Sequence, residues 1–149
     1  MRFKDIIFAL TINIDPVPKG RPRVANGRAY TPQRTKDYED YLKLMTQSAM
    51  SQLGLEPTPY DIGIEVGFSQ ETRRNADIDN LLKAVLDALN EIAFVDDRQI
   101  VRIGAALDRG VGKGKGEIHI IIYRVANTHN MVLSVKLGVI EFLNKLKGK

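Results

Sequence analysis

Four aspartates bracket one segment of this chain, Asp77-Ile78-Asp79-Asn80 at its start and Asp96-Asp97 at its end. Two carboxylates one residue apart repel each other, and a third makes the cluster worse unless a cation sits among them. If the chain doubles back after the segment, one of Asp96 and Asp97 meets Asp77 and Asp79. Three hard oxygen ligands with no His or Cys beside them suit Mg²⁺, with Mn²⁺ as substitute, rather than zinc. Each residue taken singly has a plain structural use: an N-cap aspartate, a Lys83–Asp87 helix pair, an acidic turn. Their conjunction favours the metal site.

An amphipathic helix must hold the two ends in place. Ile78, Leu81, Leu82, Val85, Leu86, Leu89 and Ile92 recur at helical spacing, which predicts a helix over residues 80–92 with one face in a core. Asp79, Lys83 and Asp87 follow four apart along its polar side. An i,i+2 step separates two side chains around a helix, whereas in extended chain it keeps them together. Asp77 is therefore expected in a strand end or loop, with Ile78 turned inward and Asp79 at or beside the N-cap, at the positive end of the helix dipole.

In its Asp-hydrophobic-Asp-Asn-Leu run (Asp77 to Leu81), Lys83, Asp87-Ala88-Leu89 and Asp96-Asp97 before a strand, the chain resembles the RusA family of Holliday-junction resolvases. The acidic pair stands one residue closer to the helix than in the founding member, as a loop deletion that spares the ligands would leave it. The likeness extends more weakly through Arg73-Arg74 and the flanking strands to about Arg124. Lys19-Gly20-Arg21-Pro22-Arg23 is similar to a segment of phage-type members. The resemblance implies a Mg²⁺-dependent endodeoxyribonuclease that nicks four-way junctions in two strands, working as a homodimer. It implies that Asp77, Asp79 and Asp97 hold metal, with Asp96 as stand-in or support, and that Lys83 orients the nucleophile or stabilises the transition state. A metal-dependent nuclease on other branched DNA or RNA, and a junction-binding protein whose acidic cluster is structural, are the alternatives.

The bulk numbers suit a soluble globular protein. The chain has 149 residues, 44% hydrophobic and 27% charged, with net charge +4, and one domain of this size buries a core. Cysteine is absent, so disulfides and thiolate chemistry are excluded, which fits a cytoplasmic protein. The start, MRFKDIIFALTINI, alternates and carries Asp5, unlike a signal peptide, and no stretch is apolar enough for a membrane span.

Charge distribution says more than its sum. Between Pro16 and Lys36 lie Lys19, Arg21, Arg23, Arg28, Arg34 and Lys36 with no acid, a composition that favours contact with a nucleic-acid backbone over a merely solvated loop. Lys19, Arg21 and Arg23, together with Arg73 and Arg74 just before the acidic motif, are the expected DNA contacts.

The other elements follow from periodicity. Ile6, Phe8, Leu10, Ile12 and Ile14 alternate as a half-buried strand, and Asn26-Gly27 marks a tight hairpin. Thr31-Pro32 opens a helix with Tyr38, Tyr41, Leu42, Met45, Ala49 and Leu53 on its apolar face, ending at Gly54. Ile62, Ile64, Val66 and Phe68 form a strand whose Gly63 and Gly67 invite close approach. Val101, Ile103, Ala105 and Leu107 and then Ile118, Ile120 and Ile122 read as a hairpin with a flexible basic tip over residues 109–116. That tip is not a phosphate-cradling loop, since no Ser or Thr follows its lysines. His119, on the face opposite Ile118 and Ile120, is expected to be packed or exposed rather than a ligand. Val132, Val135, Val139, Phe142, Leu143 and Leu146 predict a C-terminal helical extension, residues 126–149, packing on the body or on a partner subunit. The expected fold is α/β (α+β in arrangement): one domain, 1–149, with a mixed sheet of four to five strands, two main helices and the extra C-terminal helix.

Overall fold

The computed structural model describes residues 5–148; residues 1–4 of the expected non-signal N-terminus and the last residue of the expected extension lie outside it. The elements run β1 (Ile6–Ile12), β2 (Arg23–Ala25), β3 (Arg28–Tyr30), α1 (Gln33–Gln52), β4 (Ile62–Gln70), α2 (Ile78–Leu89), a 3₁₀ turn (Asp97–Gln99), β5 (Ile100–Arg109), β6 (Glu117–Arg124) and α3 (Thr128–Lys147). One mixed sheet has the order β1-β6-β4-β5, and β2 and β3 form a separate small hairpin. The fold class is as expected.

Two features of the order differ from the sequence reading. β5 and β6 are not a hairpin: β6 inserts between β1 and β4, antiparallel to both, while β5 pairs parallel to β4 at the sheet edge. A parallel pair needs a crossover, and α2 with its flanking loops supplies it. Alternating hydrophobicity identifies strands but carries no information on which neighbour each one takes. Val101 and Ile103 accordingly stay 39% and 49% exposed instead of lining an interior.

α1 and α2 cover one face of the sheet. The core joins Phe8 and Ile12 of β1, Ile62, Ile64, Val66 and Phe68 of β4, and Ile118, Ile120 and Ile122 of β6 to Leu42 of α1 and Leu81, Val85 and Leu89 of α2. Burial of each such side chain contributes about 1.5–3 kcal/mol. α2 begins two residues before its expected start, and Ile78 is exposed rather than inward. The buried stripe of α1 is Thr35, Tyr38, Leu42, Thr46 and Met50, so Tyr41 and Leu53 face out. Its N-cap is Pro32, one residue after the expected Thr31.

The predicted turn at Asn26-Gly27 is present, both residues having positive φ (52° and 73°), as a tight hairpin turn requires. Gly63 lies directly beneath the Tyr123 ring, where a Cβ would overlap it. α3 has no buried residue; its first turns meet β5, where Arg102 lies 3.9 Å from the Met131 sulfur. No helix among the described residues is long and apolar enough to cross a membrane.

Candidate nuclease site

The acidic segment sits where α2 starts beside the exposed edge strand β5. Asp77 is the N-cap residue, in extended conformation (φ −78°, ψ 130°), and Asp79 lies in the first turn of α2. Asp77 and Asp79 border a shallow concavity with Ala105, Leu107 and Arg109. Asp79 also lines an adjoining cleft of about 330 Å³, together with Lys83, Asp87 and Asp97 and with Leu82 and Ile103 in its walls. Asp79 is thus common to both concavities. Asp77 borders the first and Asp97 the second.

The consecutive acids after α2 have different surroundings. The Asp96 side chain caps the 3₁₀ turn, accepting from the Arg98 backbone N–H at 2.8 Å, while the Gln99 side chain accepts from the Asp96 N–H. The Arg98 guanidinium and backbone N–H hold the Asp96 carboxyl down at about 2. Asp97, one residue on, is exposed and borders the cleft of Asp79 and Lys83.

The donor set fits a hard divalent ion in kind, being exposed carboxylates beside a helix N-terminus with no imidazole or thiolate among them. Among the described residues, the carboxylates of Asp77 and Asp79 have no hydrogen-bond or ion-pair partner, and no three acidic or histidine side chains converge closely enough to enclose an ion by themselves. The three carboxylates are brought to one locality but not to one point.

Periodicity did not reveal the supports of the motif. The segment between β4 and α2 is fastened by the loop after β5: Gly110 N–H donates to the carbonyls of Gln70 and Thr72, Val111 to Gln70, and Gly112 to Glu71. Gly110, with φ of 76°, takes a conformation that favours glycine, and a side chain there would collide with Arg73. Arg109 donates to the Ala76 carbonyl at 3.0 Å, immediately before Asp77. The expected flexible tip is thus a brace. Asp15 accepts from the Glu71 N–H at 2.8 Å and pairs with Arg74. Asp15, Arg109 and Gln70 had no signal in spacing, because each acts on a segment remote in sequence.

The basic segment divides as well. Lys19 pairs with Asp87 and, at 3.4 Å, with Glu39, and its N–H donates to the Asn80 carbonyl at 3.0 Å. Asp87 therefore pairs with the loop, not with Lys83 as helix spacing suggested. Arg21 and Arg23 stay exposed, as does Arg73, and Arg74 is engaged by Asp15. His119 is exposed, within hydrogen-bond reach of Thr11 (2.9 Å) and beside Glu117 (3.2 Å), away from the acidic cluster.

In sequence, the chain is similar to known nucleases. The family model described as endodeoxyribonuclease RusA matches residues 13–123, from just after β1 to the last residue but one of β6. Crossover junction endodeoxyribonuclease RusA of Escherichia coli K12 is 33% identical, over 63% of this chain and 77% of its own. The protein of the same name from Shigella sonnei gives the same figures. The uncharacterized protein YqaN of Bacillus subtilis is 28% identical, over 61% of this chain and 80% of its own. The matched segment contains every aspartate of the motif and stops short of α3.

Proposed function

The chain belongs to the RusA endodeoxyribonuclease family, and from that premise we propose that it resolves four-way DNA junctions by paired, metal-dependent nicks, in recombination and repair. The observation that carries this reading is the meeting of Asp79, Asp97 and Lys83 in one cleft, with Asp77 beside Asp79 in the adjoining concavity.

Asp77, Asp79 and Asp97 would hold Mg²⁺ (or Mn²⁺). When bound, such an ion lowers the pKa of a water and stabilises charge on the attacked phosphate. The chain's own cation for that charge is Lys83, whose ammonium borders the same cleft as Asp79 and Asp97. Arg21, Arg23 and Arg73 supply exposed charge for the phosphate backbone. Arg74, fixed by Asp15, offers a guanidinium of set position beside them. Arg109 steadies the turn that presents Asp77.

Purified protein incubated with a strand-labelled four-way junction should give symmetric nicks with Mg²⁺ and none with a chelator. Binding without cleavage in Mg²⁺ or Mn²⁺ would instead favour a junction-binding protein, and cleavage of flaps or RNA in preference to junctions would favour a broader nuclease.

A further inference from the structure

Outside the acidic cleft, a cavity of about 480 Å³ lies between the basic loop, the start of α1 and the end of β4. Val17 and Pro32 give it apolar walls, Arg21, Arg34 and Arg74 lie in its lining, and Gln70 contributes from β4. Gln70 is fully buried, and among the described residues neither the nitrogen nor the oxygen of its carboxamide has a hydrogen-bond partner. A buried amide left without partners is costly, and native structures rarely keep one without a use for it. The same cavity reaches Asn75 and Ala76, the two residues before Asp77.

We propose that this cavity receives one unstacked nucleobase of the DNA strand next to the cleaved phosphate, with Gln70 reading its edge. The inference rests on the junction-nuclease reading and adds a specificity-determining residue to it. A carboxamide presents a donor and an acceptor side by side, and the Watson–Crick edge of each nucleobase, freed when the base is unpaired, offers an adjacent donor and acceptor. A guanidinium plane stacks on a base face and also binds phosphate, so the arginines of the lining serve a nucleotide better than an isolated anion. The volume lies within the range of small-molecule pockets. Taking a base out of a stack is least costly where pairing is already weak, as at a point of strand exchange.

The test uses full-length protein and synthetic four-way junctions without divalent metal, carrying 2-aminopurine singly at positions around the exchange point. This probe brightens when unstacked and itself carries an adjacent donor and acceptor. Wild-type protein should brighten one position next to the later cleavage site. Gln70→Met, which keeps the side-chain length and removes the orphan amide, should form the complex by anisotropy yet lose that brightening. In Mg²⁺ it should also lose most of the spread in cleavage rate among junctions differing in that base. Its folding is checked by thermal melting, and Val17→Phe, which fills the cavity from the loop, should cause the same loss. Junction binding with no bright position, or brightening and rate spread equal in wild type and both variants, overturns the pocket and leaves the nuclease reading standing. A wild-type protein that binds no junction overturns both.

Discussion

Asp96 and Asp97 are neighbours in the chain with opposite surroundings: Asp96 is bound by Arg98 and caps the 3₁₀ turn, whereas Asp97 borders the cleft of Asp79 and Lys83. Asp97→Asn should therefore lower cleavage by about a hundredfold or more, the scale of losing a charge-stabilising group. Asp96→Ala should act chiefly on stability. The Asp96 carboxyl, depressed to about 2 in the fold, contributes stability that is present above its unfolded value of about 3.9 and lost as pH falls towards 2. Melting curves of wild type and Asp96→Ala should differ by a constant amount at neutral pH and converge between about pH 4 and 2. Loss of cleavage in Asp96→Ala with Asp97→Asn fully active would reverse the assignment.

Asp79 is the residue shared by both concavities. Asp79→Asn removes a proposed metal ligand and one negative charge, so cleavage should disappear while junction affinity holds or rises. Lys83→Ala should lose about 10²- to 10³-fold in rate, since the cleft then lacks a cation facing the developing charge. Single-turnover kinetics with a parallel gel-shift titration separates the two effects. Near-normal cutting by Asp79→Asn would remove it from the site.

Local chemistry was legible in the chain, and long-range pairing was not. The Asp77 to Leu81 run, the helix after it and the Asn26-Gly27 turn each show in spacing or turn chemistry; the turn stands where expected, while the helix runs Ile78–Leu89 instead of 80–92, with Ile78 exposed. The insertion of β6 between β1 and β4 has no local signature, because β5 and β6 alternate alike whichever neighbour they take. The same limit hid the brace. Arg109 and Asp15 act on residues more than thirty positions away, and only the fold brings them to Ala76 and Glu71.

Gly63 tests the packing of the central strand. Its lack of a side chain leaves room for the Tyr123 ring on the sheet face opposite the helices. Gly63→Ala should destabilise by about 1–3 kcal/mol, as overpacking does. Adding Tyr123→Ala should return part of that loss in a double-mutant cycle followed by urea denaturation. Additive losses would show that the two residues do not compete for the same space.

Lys19 and its neighbours in the basic loop should respond differently to removal. Arg21→Ala with Arg23→Ala should weaken junction binding and reduce the log–log salt slope by about one for each phosphate that is no longer neutralised. Lys19→Met should leave the slope unchanged, since Asp87 and Glu39 already neutralise that charge. Partial burial disfavours the Lys19 ammonium, but Asp87 and Glu39 outweigh it and its pKa is raised. The pairing thus contributes in full below the unfolded value of about 10.4 and is lost only as pH rises through the higher folded one. Its removal should cost about 1 kcal/mol or less, as for other half-exposed ion pairs. A salt slope altered by Lys19→Met and not by the arginines would exchange their roles.

The active species should be a two-fold symmetric homodimer joined through α3. This helix exposes Val132, Val135 and Phe142 by 69%, 71% and 60%, a run of apolar surface that monomers seldom leave in water. It lies outside the segment that matches the family, and none of its residues is buried against the body. One chain carries one carboxylate cluster, whereas paired nicks need two sites related by a two-fold axis, which an isologous dimer provides. Light scattering should therefore give a dimer for the full chain and a folded monomer for a chain ending at Ala126. Mixing wild type with an excess of Asp77→Asn subunits should yield junctions nicked in one strand and uncut in the other. A full-length monomer at working concentration, or paired cleavage that survives the excess of dead subunits, would overturn the dimer. A truncated chain that stays dimeric would move the interface from α3 to the sheet.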